Sequence, residues 1–214
     1  MAQLKIDFVS DVSCPWCVIG LKSLETALAS LKGEVSAELH FQPFELNPQM
    51  GREGQDIAEH IAQKYGSTPA DMERSRENLR ARGAEAGFEF NLQKRGRIYN
   101  TFDAHRLLHW AEMEGKQETL KNGLFSAYFT EGRNPSDHAV LVDVAQKAGL
   151  DPKRAAQILE SDQFASEVRA REKFYTDRGI RAVPSVIIND QHLIQGGQPA
   201  EVFEKALRQL ARGS

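Results

Sequence analysis

Cys14 and Cys17 are the only two cysteines in this chain of 214 residues, and just Pro15 and Trp16 separate them. Three kinds of chemistry use a pair at that spacing. Zinc needs about four ligands, usually two such pairs or one pair with two closely spaced histidines. There is no second pair. The six histidines (His40, His60, His105, His109, His138 and His192) keep no ligand spacing to the cysteines, so no metal is expected. A structural disulfide across so short a loop would add little loop-closure stabilisation. A redox dithiol needs only two sulfurs, an exposed attacker and a buried resolver, and that is the reading the pair favours.

The neighbouring residues say how the sulfurs are held. Residues 4–9 are apolar enough, and alternate enough, for a strand. Past the second cysteine, Ile19, Leu21, Leu24 and Leu28 fall near helical spacing. Cys14 is therefore expected at the N-terminus of a helix and Cys17 one turn in. Unpaired N–H groups and the positive end of the helix dipole favour an anion there, so the Cys14 thiol should ionise below its free value of about 8.5. Asp11, just upstream, is within reach of a proton-relay role, but it reads as a solvated strand-end carboxylate.

Farther along, residues 35–44 alternate as a second strand, making a βαβ unit with parallel strands and a right-handed crossover. The pattern then changes for well over a hundred residues. Thr68-Pro69-Ala70-Asp71 starts a helix that ends near Gly87. Residues 88–92 allow a short extended stretch, and Lys94-Arg95-Gly96-Arg97 reads as a solvated turn. Asn100 or Thr101 caps a helix on which His105 and His109 share a face without a third ligand. Further helices are expected from about 118 to 129, after Asp137, after Asp151-Pro152, and finally one carrying Phe164, Val168 and Phe174. Strand grammar returns with Ser185-Val186-Ile187-Ile188, a turn at Asn189-Asp190, and His192-Leu193-Ile194-Gln195. A last amphipathic helix presents Val202, Phe203, Ala206, Leu207 and Leu210.

Strand, Cys14-Pro15-Trp16-Cys17, then helix resembles a thioredoxin-fold active site. It is most similar to the DsbA family and its FrnE-like members, relatives of 2-hydroxychromene-2-carboxylate isomerases and kappa-class glutathione transferases. Two distant segments carry the same likeness. The run from Gly179 through Val183-Pro184 to Ile188 resembles the family's segment with a cis proline facing the CxxC. The run Tyr99-Asn100-Thr101-Phe102-Asp103-Ala104-His105 resembles a helix start of FrnE-like proteins. The likeness spans nearly the whole chain. It implies an α/β fold, namely a thioredoxin fold at residues 1–47 and 179–214 with a large all-helical insertion at 48–178. Val183-Pro184 has a plainer explanation, since a proline ahead of a strand has no N–H to donate. The resemblance implies instead a cis turn exposing the Val183 backbone to an extended substrate.

The function so implied is a thiol-disulfide oxidoreductase. Cys14 and Cys17 would be catalytic, Pro15, Trp16, Val183 and Pro184 would contact substrate, and no cofactor is needed beyond the redox-active disulfide. The partner would be a protein or peptide thiol, with glutathione an admissible co-substrate. Two other readings stand beside it. One is a glutathione-dependent isomerase or transferase, whose members generally carry serine where Cys14 stands. The other is a non-enzymatic redox-sensing or chaperone-like binder. A formal net charge of −3 gives no basic footprint for nucleic acid, and no apolar run has membrane-spanning length. The first residues lack a basic region, an apolar core and a cleavage site, which points to the cytoplasm. Monomer and homodimer are both open.

Overall fold

A computed structural model describes residues 2–213. The first strand, β1 (Ala2–Ser10), is the centre of the sheet, and its alternating residues serve two different faces. Leu4, Ile6 and Phe8 are fully buried with α1 (Pro15–Ser30) and the C-terminal helix, whereas Val9 packs with Tyr175 and Ile180 on the opposite side. β2 (Val35–Pro43) pairs parallel to β1 in register Phe8 to Phe41, and those two rings meet edge to face with centroids 5.8 Å apart. This is the expected βαβ unit.

The helical insertion follows. Within it a ribbon of two-residue strands, β3 (Gln55–Asp56) and β4 (Arg97–Ile98), pairs antiparallel and closes the base of a helical hairpin. The hairpin consists of α2 (Ile57–Tyr65), which Asp56 caps, and α3 (Pro69–Glu85), which starts on a full capping box between Thr68 and Asp71. Residues 88–92 form no strand. They run as irregular chain whose Phe88, Phe90 and Leu92 side chains are buried in the same cluster as the sheet core. α4 (Phe102–Met113) and α5 (Gln117–Phe125) come next, and α5 passes straight into a five-residue π-helical turn, Ser126–Thr130. α6 (His138–Lys147) and α7 (Pro152–Leu159) are capped by Asp137 and Asp151, and with α4 and α5 they enclose a second apolar cluster.

α8 (Ala165–Asp177) turns Tyr175 inward and leaves Phe174 44% exposed, which reverses the apolar role expected of Phe174. β5 (Ser185–Ile188) and β6 (His192–Gln195) form a hairpin through Asn189 and Asp190, both at positive φ, and β5 lies antiparallel to β1. The sheet order is β2-β1-β5-β6. α9 (Ala200–Arg212) buries Phe203 and Leu207 fully, while Val202 stays exposed, one position off the stripe. The result is the thioredoxin arrangement, with helices on both faces of the sheet and a helical insertion after β2. Among the described residues no helix is long and apolar enough to cross a membrane.

Candidate active site

The chain leaves β1 at Ser10, turns, and enters α1 with Cys14 as its N-cap and Pro15 as the first helical residue. The turn is closed by the Cys14 N–H donating to the Asp11 carbonyl at 3.2 Å. No side chain caps this helix and no acid lies in its first turn. The free N–H groups are thus left to the Cys14 sulfur.

The two thiols differ in surroundings as well as position, and neither is bonded to the other. Both are buried, Cys17 completely and Cys14 to within 3%, which corrects the exposed attacker expected; Cys14 differs in lining a cleft. The Cys14 thiol is held below the ordinary thiol range, chiefly by a hydrogen bond from the Cys17 thiol. Burial and the Asp11 charge oppose this, and the N–H groups of Cys17 and Trp16 assist it. Cys17 is pushed well above that range by burial first and by Cys14 second, against the positive charge of Lys121. Cys14 is therefore the readier of the two to ionise and Cys17 the more reluctant.

Val183 and Pro184 come from the chain just before β5. The bond between them is cis, and the Cys14 thiol points at the Val183 carbonyl, 3.6 Å away. The Pro184 ring is buried against α1 at Gly20, where a Cβ would lie 3.0 Å from Pro184 Cγ. Of the six residues singled out from the sequence, Cys14, Pro15, Trp16 and Val183 line the cleft, whereas Cys17 and Pro184 lie beneath it. Trp16 both lines the cleft and packs against Gly197.

Asp11 is not the solvated carboxylate that its place at a strand end suggests. Only 1% of it is exposed, and it accepts hydrogen bonds from the Ser13 N–H, the Ser13 hydroxyl and the Leu46 N–H. His105, from α4, lies 3.6 Å away with its Nε2 donating to the Phe44 carbonyl. Burial alone would raise the Asp11 pKa, but His105, the Leu46 amide and Thr101 together hold it at about 2. Lys121 was not apparent from the sequence. It is fully buried with its ammonium 5.0 Å from the Phe125 ring centre. Burial brings it down to about 8, while the charges of Cys17, Asp11 and Cys14 pull the other way. Its one sequence signal is a lysine flanked by the buried Leu120 and Leu124 on a core helix.

The cleft above Cys14 has a volume of about 380 Å³. Trp16, the loop at Leu46 and Asn47, the facing sides of α2 and α3, and Ile98 enclose it. Arg95 also lines it. This corrects the expected solvated turn at Arg95, which is buried on the rings of Tyr128 and Phe129, while Lys94, Gly96 and Arg97 are exposed as expected. Among the described residues no group of three or more His, Cys, Asp or Glu is placed to hold a metal ion. His109, which shares a face with His105, tilts against the Phe164 ring instead.

The family of DSBA-like thioredoxin domains matches residues 5–208. A curated relative, the uncharacterised protein YwbO of Bacillus subtilis, is 28% identical over 203 residues, covering 94% of each chain. The crystal structure of a probable DsbA oxidoreductase from Streptomyces coelicolor superposes with a TM-score of 0.90. It is 33% identical and covers 99% of this chain and 91% of its own. The cytosolic disulfide reductase DsbM of Pseudomonas aeruginosa, solved with GSH, shares the fold at a TM-score of 0.66. It is 15% identical, with 97% of this chain and 99% of the other covered. With Cys14 and Cys17 at the head of α1 and a family match over residues 5–208, this chain belongs to the DsbA-like thioredoxin-domain family.

Proposed function

We propose that the protein is a thiol-disulfide oxidoreductase that works through its Cys14-Pro15-Trp16-Cys17 dithiol. The observation that carries this reading is the split between the two sulfurs. Cys14 is a lowered-pKa thiol at a cleft, and Cys17 is a raised-pKa thiol buried behind it. Such a pair separates attack from resolution.

In the reducing direction the Cys14 thiolate attacks one sulfur of a substrate disulfide. A Cys14–substrate disulfide forms, and the first substrate thiolate leaves and takes a proton from water. Cys17 then gives up its proton, attacks the Cys14 sulfur and expels the second substrate thiolate, which takes the proton. Two electrons have passed from the dithiol to the substrate, and the Cys14–Cys17 disulfide remains. The oxidising direction is the same path reversed, beginning with a substrate thiolate at Cys14. The Val183 carbonyl faces the reacting sulfur, and in this reading the Val183 backbone pairs with an extended substrate. Glutathione is a reasonable co-substrate, since DsbM shares the fold and was solved with GSH.

A glutathione redox titration, read by mass and by tryptophan fluorescence, tests this. A single two-electron transition between dithiol and Cys14–Cys17 disulfide is expected, and its midpoint would set the physiological direction. Glutathione adducts without any such interconversion would overturn the oxidoreductase reading in favour of a transferase or isomerase.

A further inference from the structure

Among the described residues, Arg95 is a buried charge at the cleft that meets no carboxylate. It is 8% exposed, its guanidinium carbon sits 4.9 Å from the Tyr128 ring centre and 5.0 Å from that of Phe129, and its Nε makes no hydrogen bond. Among the described residues no carboxylate comes within ion-pairing distance of it. The π-helical turn that ends α5 supplies both rings, a device frequent at functional sites. The Tyr128 hydroxyl and the two rings engage the guanidinium, but a cation held so deep without a carboxylate is costly unless something else answers its charge.

The other charged groups lining the cleft are already engaged. Asp71 is bound by Thr68 and Arg74, and Arg76 reaches Glu73 at 3.3 Å. His60 shares a hydrogen bond with Gln55, and burial, then Lys64 and Arg95, hold its pKa below the usual value. Arg95 is thus the charge on the cleft wall that these contacts leave without a counter-charge. The remaining walls are largely apolar, including Trp16, Ile57, Ile61, Met72 and Leu79. A space of about 380 Å³ lies toward the small end of small-molecule sites, which run from about 300 to about 1,000 Å³.

We infer that the cleft selects a small thiol or disulfide with an apolar body and a carboxylate or similar anionic group, and that Arg95 binds this anion while the sulfur meets Cys14. The inference rests on Cys14 as the reacting sulfur. It makes Arg95 a specificity-determining residue with an aromatic-backed guanidinium, a form suited to planar anions.

The test uses the reduced full-length protein and two aryl disulfides, the dianionic 5,5′-dithiobis(2-nitrobenzoate) and the neutral 4,4′-dithiodipyridine. The readout is the ratio of their second-order rate constants, which cancels any change in the thiolate fraction of Cys14. In Arg95→Met the anionic-to-neutral ratio should fall at least about tenfold, and Arg95→Lys should restore most of it. An unchanged ratio in Arg95→Met overturns the inference. Should Arg95→Met fail to fold, protection of the wild type decides. 2-Naphthoate should slow the neutral disulfide and 2-naphthamide should not, and equal protection or none overturns the assignment. If the wild type reacts with neither disulfide, the oxidoreductase reading itself fails, independently of Arg95.

Discussion

The Nε2 atom of His105 stands 3.6 Å from the Asp11 carboxylate, and neither residue is more than 3% exposed. With the Ser13 and Leu46 donors, this fixes the turn between β1 and α1 on which Cys14 is mounted. The Asp11 pKa is about 2 in the fold against 3.8 ordinarily. At about 1.36 kcal/mol per unit, the ionised group contributes about 2 kcal/mol of stability. As pH falls, the unfolded chain takes up its proton first, so this contribution is present above about pH 4 and lost on the way down to pH 2. Urea unfolding of the wild type and Asp11→Asn should show a stability gap that narrows from pH 5 to pH 2. A gap that stays constant would mean that Asp11 is not held ionised by its neighbours.

Glu45, next to the Phe44 carbonyl that His105 engages, works in the opposite sense. Burial, followed by the charge of Glu172, raises its pKa to about 6, although Arg169 and His105 favour ionisation. A carboxyl raised in the fold stabilises when protonated, so its contribution is complete below about pH 4.5 and lost as pH rises through 6. Glu45→Gln should therefore flatten the decline in unfolding free energy between pH 4.5 and pH 6.5. A wild-type profile already flat in that window would contradict the assignment.

The Cys17 thiol is the main support of the Cys14 thiolate, ahead of the helix N–H groups. Alkylation of the reduced protein by iodoacetamide, mapped by peptide mass, should modify Cys14 at pH values where ordinary thiols react slowly and leave Cys17 untouched. Cys17→Ala removes the donor and should raise the pKa governing this reaction, more than Cys17→Ser, which retains a hydroxyl. With a disulfide substrate, Cys17→Ser should accumulate a Cys14 adduct and Cys14→Ser none. Equal alkylation of both cysteines at neutral pH would contradict the division of roles.

Much of this machinery was legible in the sequence because its signals are local. The helix caps at Thr68, Asp137 and Asp151, the prolines at first helical positions and the hairpin turn at Asn189-Asp190 each act within a few residues. The features that escaped are decided by distant chain. Asp11 is buried because Leu46 and His105 cover it, and Arg95 is buried because Tyr128 and Phe129 come underneath. No pattern around either residue carries that information. Phe174 and Tyr175 show the limit of periodicity, since adjacent aromatics on one helix leave the inward one to be chosen by the groove, here beside Val9 and Ile180.

Gly83 links the helical hairpin to the cleft. A Cβ there would fall 2.3 Å from Phe90 Cδ2 and 2.9 Å from the Phe88 carbonyl oxygen. Phe90 cannot simply withdraw, being packed edge to face on Phe88 at 4.9 Å and on Phe129 at 5.4 Å. Alanine would gain about 1 kcal/mol of helix propensity but overpack this aromatic cluster at a cost of about 1–3 kcal/mol, so Gly83→Ala should be net destabilising by up to about 2 kcal/mol. Because Phe129 also backs Arg95, the substitution should disturb cleft selectivity as well. An unfolding midpoint equal to or above the wild type would show that the cluster yields.

Lys121 offers a test in which stability and chemistry move in opposite directions. The side chain is fully buried, and its pKa falls from 10.5 to about 8, mainly through burial. At about 1.36 kcal/mol per unit, holding the ammonium there at neutral pH costs about 3 kcal/mol. The unfolded chain retains this proton longer as pH rises, so wild-type stability should climb between pH 8 and pH 10.5. Lys121→Met, of similar length and apolar, should therefore be more stable at pH 7, with the advantage shrinking across that window. The same ammonium favours the Cys17 thiolate, so its loss should slow the release of the Cys14 mixed disulfide while leaving initial attack less affected. Single-turnover kinetics separate these two steps. A methionine variant that is no more stable and resolves at the wild-type rate would reduce Lys121 to a packing residue, whereas gained stability with slowed resolution would show a charge retained for the chemistry of Cys17.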